Sequence, residues 1–412
     1  MLLSVDEARR RLLAAMPLVS AEFVPLVEAA GRILAENLIS DFDLPPFTNS
    51  SMDGYAIQAA DLEPLRAGRP VALTVVADIP AGSESPAQIK SGQAARIMTG
   101  APLPAGADAI VPVERTDAGG QQALGTIIPD RIEIVSPVDP GAFIRRRGED
   151  VAAGQMVIEA GSRLRPQDVG LAAMLGIGQV KVFRKPIVAL LSTGDELLPV
   201  GAPRQPGKIY ESNGLTLAAL IQSMGARVFH LGIAGDQAQA VAERLDHAAA
   251  QKVDLLITSA GVSVGAYDYV REVVKQRGEL DFWRVNMRPG KPFAVGRYSD
   301  IPFIGLPGNP VSAYVGFEAF VRPALCRMMG YTRWERKVRK GRLTESITSD
   351  GRESYLRAVV TETNGLSEAR LTGHQGSGNQ FSLVQANALA VIPAGVLKLS
   401  SGHEIDLWLF EE

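Results

Sequence analysis

The sequence predicts a multidomain α/β plus β protein. It has a central doubly wound, mostly parallel α/β domain, a small β-rich domain inserted ahead of it, and a small barrel-like β domain at the C-terminus. Three observations carry this expectation. Between 185 and 329, apolar runs alternate with helical stretches, the pattern of successive βαβ units. Between 41 and 140, the apolar runs are short and broken by proline and glycine. After Gly330, short alternating runs continue to the end. A chain of 412 residues is too long for one ordinary core, and a hydrophobic fraction of 46 % fills several.

Taken in order, Ser4 and Glu7 form a capping-box pattern, and Val5, Ala8, Leu12 and Met16 recur at helical spacing until Pro17. A second short helix is expected over 26–34. Apolar runs at 71–77 and 109–113 read as strands of the inserted domain. Mixed texture returns over 144–175, so 1–40 and 141–180 are read as one discontinuous mixed α/β domain around the β-rich 41–140. In the central domain, 181–329, strands are expected at 187–191, 228–233, 255–258 and 303–306. Helices are expected at 214–224, 237–250, 269–275 and 311–328. The remaining 330–412 forms the C-terminal β domain.

Composition excludes several classes. A net charge of −3 gives no general attraction to nucleic acid or to an acidic membrane surface. One cysteine, Cys326, leaves no internal disulfide and no CxxC metal site. The histidines His230, His247, His374 and His403 show no local ligand spacing. Acidic Asp6 and Glu7 argue against a secretory leader, and no run reaches the roughly 18 apolar residues that span a bilayer. A cytoplasmic home is the expectation.

The chemistry is expected where turns leave the central strands, because ligands of doubly wound sheets bind beyond the carboxyl ends. Ser192-Thr193-Gly194-Asp195-Glu196 follows the first strand. Thr258-Ser259-Ala260-Gly261-Val262-Ser263-Val264-Gly265 follows the third and precedes Asp268. Leu306-Pro307-Gly308-Asn309-Pro310 follows the last, with Asn309 placed as an N-cap and Pro310 at the first helical position. One such turn is ordinary turn chemistry. Three on one edge make a phosphate cradle of backbone N–H groups. Asp195, Glu196, Asp236 and Asp268 cluster at these turns, where they hold Mg²⁺ against a phosphoanhydride or where Asp195, Asp236 and Asp268 merely cap helices. Lys291, in Arg288-Pro289-Gly290-Lys291-Pro292, either offers a point charge to phosphate or is solvated. Arg145-Arg146-Arg147 grips an anion or forms a solvated face, the second being favoured. The basic run Arg333, Arg336, Lys337, Arg339 and Lys340, with Trp334 and Glu335 inside it, reads as a solvated strand between domains rather than a nucleic-acid site.

Eight motifs in order resemble the molybdopterin molybdenumtransferase family. They are Asn49-Ser50-Ser51-Met52-Asp53-Gly54-Tyr55-Ala56, Ile97-Met98-Thr99-Gly100-Ala101-Pro102, 144–150, 192–197, 261–268, 289–292, 305–312 and 372–377. The resemblance covers nearly the whole chain. It implies insertion of molybdate into adenylylated molybdopterin, with release of AMP and formation of molybdenum cofactor, supported by Mg²⁺. It also implies a central domain like molybdopterin adenylyltransferase and an elongated homodimer whose active site is shared between subunits. Molybdopterin adenylyltransferase and molybdoenzyme apoproteins are the partners it implies.

Residue by residue, the resemblance makes Asp53, Glu196, Asp236 and Asp268 catalytic, with Glu196 and Asp268 toward the metal. Thr99, Asp150, Gly261, Ser263, Gly265, Lys291, Pro307, Gly308 and Pro310 fall in its substrate-binding motifs. Arg357 and Ser377 align with positions for molybdate or substrate handling. Two departures stand out: Ala260 occupies the first position of a usual Gly-Gly pair, and Arg288 replaces a common lysine. The alternatives are molybdopterin adenylyltransferase itself, a nicotinamide-nucleotide amidase, and a gephyrin-like scaffold, the last disfavoured because no appended domain is present.

Overall fold

A computed structural model describes residues 2–83, 87–117, 119, 128–260 and 269–410. The chain divides into two compact units, one of Met1–Glu36, Ala160–Val169 and Gly178–Glu412, the other of Asn37–Glu159 and Gly170–Ile177.

The larger unit begins with α1 (Val5–Ala15). Its expected cap is half made: the Glu7 N–H donates to Ser4 Oγ at 3.2 Å, but the Glu7 carboxylate turns to Arg10 and Arg11 instead of the Ser4 N–H. The helix expected over 26–34 is not formed. Only one 3₁₀ turn, Leu26–Glu28, appears. Gly31 sits at φ +78°, and the N–H groups of Gly31, Leu34 and Ala35 donate to carbonyls of Leu164, Ser162 and Lys181. Extended partners therefore take the bonds a helix would have used.

The central layer comprises β1 (Ile187–Thr193), α2 (Asn213–Ser223), β2 (Arg227–Ala234), α3 (Ala238–Ala250), β3 (Leu255–Ser259) and α4 (Tyr269–Arg277). It continues through β4 (Gly278–Arg284), β5 (Met287–Arg288), β6 (Pro292–Tyr298) and β7 (Ile301–Leu306). The strand order is β2-β1-β3-β7-β6-β4. The first four are parallel, and β6 and β4 add an antiparallel edge absent from the sequence expectation. Successive residues of β1 feed opposite cores, as a strand covered on both faces requires. Val188 and Leu190 pack with Leu12, Leu217, Ile221 and Phe320; Ala189 and Leu191 pack with Val241, Leu245 and Val273. Each fully buried side chain of this size contributes about 1.5–3 kcal/mol.

The long helix expected at 311–328 is present as α5 (Pro310–Gly316) and α6 (Arg322–Met328), joined by a π-helical segment, Phe317–Val321. Cys326 is buried and unbridged, and burial pushes its thiol up to about 11. Beyond it lie β8 (Val338–Leu343), β9 (Glu353–Thr363), β10 (Leu366–Leu371), α7 (Phe381–Gln385), β11 (Ala388–Ile392) and β12 (Glu404–Leu409). The pairings β9-β10-β8-β12-β11 return to β9, closing a five-stranded barrel around Leu343, Leu356, Ala369, Ala390 and Leu407.

The second unit carries a five-stranded sheet ordered Ala109–Pro112, Gly54–Ile57, Gln93–Ile97, Val71–Ile79, Arg131–Ile134. Tyr55 and Ile57 face one apolar cluster, Ala56 the other. Gly54 is required there because a methyl group would overlap the Val111 carbonyl. Among the described residues, no helix is long and apolar enough to cross a membrane.

Candidate active site

The parallel strands end level with one another. Thr193 is in register with Ala234, Ser192 with Ser259, and Ser259 with Leu306, so the turns after β2, β1, β3 and β7 share one edge. Polar contacts tie these turns together. Asp236 donates its N–H to Asp195 Oδ1 at 3.0 Å, and Asp195 donates its own to Asp236 Oδ2 at 3.3 Å. Neither carboxylate caps a helix, which settles part of the alternative left open by the sequence. A short strand, Leu197–Leu198, follows Asp195, and α3 is entered from Gln237 without a side-chain cap. Lys208 Nζ donates to the Asp195 carbonyl. Gly194 sits at φ +146°, and a side chain there would collide with the exposed Glu196 carboxylate folded over the same turn.

Asn213, at the start of α2, donates from Nδ2 to Ser259 Oγ at 2.8 Å and to the Gly308 carbonyl at 2.7 Å. One amide thus pins two of the expected turns. Sequence reasoning missed it, because an Asn at a helix start reads as a local cap. Ala260 occupies φ +76°, so the residue at the usual glycine position does adopt the left-handed region. Its N–H donates to the Leu306 carbonyl at 3.0 Å, and its methyl lies 3.1 Å from where a Gly308 Cβ would stand. Pro307 is buried, and Pro310 opens α5 behind Asn309, whose side chain makes no capping bond. Gly261, Ser263, Gly265 and Asp268 lie outside the described residues.

A second cluster joins the barrel to the Arg288–Lys291 loop. β5 runs parallel to β9, pairing Met287 with Glu353 and Arg288 with Ser354. Three residues along β9 lies Arg357, 0 % exposed. It donates from Nε to Ser382 Oγ at 2.9 Å and from Nη2 to the Gly376 carbonyl at 3.0 Å, while Nη1 is buried with no partner. Burial, with the charge of Arg288 adding to it, pulls this guanidinium down to about 10. Among the described residues it is a buried cation without a carboxylate, an arrangement that an oxyanion would complete. The Ser377 carbonyl accepts the Val311 N–H at 3.0 Å, bringing the 372–377 turn onto α5 next to Pro310. Lys291 is exposed, and among the described residues its ammonium has no partner.

The second unit brings Asp53 and Thr99 together: Asp53 Oδ1 accepts the Thr99 N–H at 2.7 Å and the Thr99 hydroxyl at 2.8 Å. Asp150 pairs with Arg145, and Arg147 with Asp43 at 2.6 Å. Arg146 lines a cleft with Thr48, Asp108 and Ile144. The basic run near 336 is less solvated than expected, since Arg336 Nη2 meets the buried Glu318 carboxylate at 2.9 Å. Among the described residues no three His, Cys, Asp or Glu side chains form a metal-binding group.

Fold and site together define a multidomain protein built on a doubly wound α/β domain, with a buried guanidinium at a C-terminal barrel. Family profiles match in the same sense: "MoeA N-terminal region (domain I and II)" over 3–176, "Probable molybdopterin binding domain" over 189–327, and "MoeA C-terminal region (domain IV)" over 340–410. Molybdopterin molybdenumtransferase 2 of Mycobacterium tuberculosis is 40 % identical over 412 residues, covering 98 % of this chain and 99 % of the relative. The molybdopterin molybdenumtransferase of Bacillus subtilis is 34 % identical, covering 99 % and 94 %. The crystal structure of the molybdopterin biosynthesis moeA protein from Pyrococcus horikoshii OT3 superposes with a TM-score of 0.83 at 32 % identity, covering all of both chains. The chain belongs to the molybdopterin molybdenumtransferase family.

Proposed function

We propose that this enzyme inserts molybdate into adenylylated molybdopterin, releasing AMP and leaving molybdenum cofactor. What carries the reading is similarity over the full length to proteins named for molybdenum transfer to molybdopterin. The substrate's own dithiolene sulfurs ligate the metal, in keeping with a chain that has one buried cysteine. Two thiol protons leave with one molybdate oxygen as water, and a second water splits the phosphoanhydride to give AMP.

The protein's task is to hold two anions close together against their repulsion. The nucleotide phosphates are assigned to the shared strand edge, on the N–H groups near Gly261, Ser263 and Gly265, with Lys291 and the Pro307-Gly308 turn. Molybdate is assigned to the uncompensated Arg357 guanidinium, beside Ser377 and Pro310. Hard carboxylate oxygens suit Mg²⁺, which takes one or two carboxylates plus substrate phosphates and needs no cluster of three. Glu196 and Asp268 would hold it, and bound there it would offset the phosphate charge. Asp236 or Asp53 moves the protons; Thr99 orients Asp53, and Asp150 is placed by Arg145.

The reading extends to a cytoplasmic homodimer of four-domain subunits. The active site is shared between subunits, with molybdopterin adenylyltransferase upstream and molybdoenzyme apoproteins downstream. Measuring AMP release from adenylylated molybdopterin with Mg²⁺, with and without molybdate, tests it. Molybdate-dependent release is expected; tight nucleotide binding with no release would overturn it. Asp268→Ala should keep the dimer and lose most turnover, and near-normal release would remove Asp268 from the mechanism.

A further inference from the structure

Next to the strand edge lies a cleft that none of these assignments uses. It occupies about 370 Å³ between β1, β2 and the start of α2, with walls from Leu190, Val200, Leu215 and Ile233. Three polar side chains, Ser192, Glu211 and His230, also line it. Glu211 is half-buried and fixed: its Oε1 accepts from Ser192 Oγ at 3.0 Å and from the Gly214 N–H at 2.6 Å. Among the described residues its Oε2 accepts no hydrogen bond. Val200 and Leu215 are exposed apolar side chains, 65 % and 56 % accessible, so the walls are unusually greasy for an open surface. An apolar-walled cleft with one oriented carboxylate is the chemistry that receives a heterocycle through an N–H edge.

We infer that this cleft is the pterin subsite, with Glu211 as the residue that recognises the ring. The inference rests on the molybdopterin reading above and deepens it. A 2-amino-4-oxo pyrimidine edge presents two adjacent N–H donors, which a carboxylate accepts; adenine offers no such adjacent pair. Glu211 therefore separates the pterin half of the substrate from its adenosine half. Ser192 lines the cleft from near the end of β1, just before the turn that carries Glu196, so a pterin seated here lies at the start of the phosphate edge.

Two variants test this. Glu211→Gln keeps an acceptor for Ser192 and Gly214 but turns an N–H₂ toward the ring's donors, and Val200→Trp fills the slot from an exposed loop. For both, the KM for adenylylated molybdopterin should rise about 10-fold or more with kcat little changed, the size of one lost charge-assisted bond. Affinity for the fluorescent probe 6-hydroxymethylpterin should fall in parallel, while affinity for AMP stays at the wild-type value. An unchanged KM in both variants overturns the assignment. A fall in kcat alone also overturns it, by making Glu211 a participant in the chemistry. If AMP affinity falls with Glu211→Gln, Val200→Trp decides: unchanged pterin affinity in that variant overturns the subsite. A wild-type enzyme that binds pterin yet releases no AMP would defeat the molybdenum-transfer reading and leave the subsite standing.

Discussion

At the scale of single residues, two side chains stand in conformations or environments that cost free energy, and each yields a prediction. Arg357 is a fully buried guanidinium with an orphaned Nη1 and a second guanidinium nearby. Removing an uncompensated buried charge relieves its desolvation cost, which offsets the loss of its bonds to Ser382 and Gly376. Arg357→Met without ligand should therefore unfold at a denaturant midpoint no lower than wild type. Molybdate at a hundred times its Kd should stabilise wild type by about 2.7 kcal/mol and Arg357→Met hardly at all. Equal stabilisation of both proteins would place the oxyanion elsewhere. Ala260 holds φ +76° with its methyl against the space over Gly308. Gly308→Ala should cost more in the native background than in Ala260→Gly, with a coupling of about 0.5–1 kcal/mol in a double-mutant cycle. Additive effects would mean that the two turns do not press on each other. The glycine departure at 260 was legible in the sequence; that the backbone there is left-handed was not, and only the structure shows it. The isolation of Arg357 was not, because only the closed barrel shows that, among the described residues, no carboxylate reaches it.

At the scale of elements, legibility tracked periodicity. The four parallel strands and α2, α3 and α4 were readable because a strand covered on both faces is a continuous apolar run and the helices between are amphipathic. The antiparallel strands β4 and β6 were not. Their Gly278 and Gly296 break the pattern, being required by backbone approaching across the ladder. The helix lost at 26–34 shows the opposite failure, apolar spacing overruled by Gly31 and by extended partners. The π-helical segment between α5 and α6 is invisible to an apolar count. It carries Glu318, whose side chain is 4 % accessible, against Arg336 at 11 %. Truncating one partner of such a pair strands the other charge. Glu318→Gln should cost about 3–5 kcal/mol in urea unfolding, and Glu318→Met with Arg336→Met markedly less than the sum of the single changes. A loss below about 1 kcal/mol for Glu318→Gln would show that the pair is hydrated in solution.

At the scale of the whole molecule, the proposed site residues fall in two compact units: Asp53, Thr99 and Asp150 in one, Glu196, Asp236, Lys291, Arg357 and Ser377 in the other. The sequence showed all of these motifs as members of one ordered set, but order along a chain does not say which subunit completes a given site. The proposed shared-site homodimer makes that question quantitative. Asp53→Ala and Glu196→Ala should each abolish most molybdate-dependent AMP release as homodimers. When the two variants are unfolded together and reassembled at equal amounts, half of the dimers are mixed. In a mixed dimer with shared sites, one site receives both damaged residues and the other receives neither. Half of the dimers with one working site of two gives about a quarter of wild-type activity. If each site were instead built from a single subunit, every site in the mixture would carry one lesion, and activity would stay at the level of the separate variants. Recovery near a quarter, appearing only after reassembly and absent when the folded variants are simply mixed, is the outcome the shared site requires.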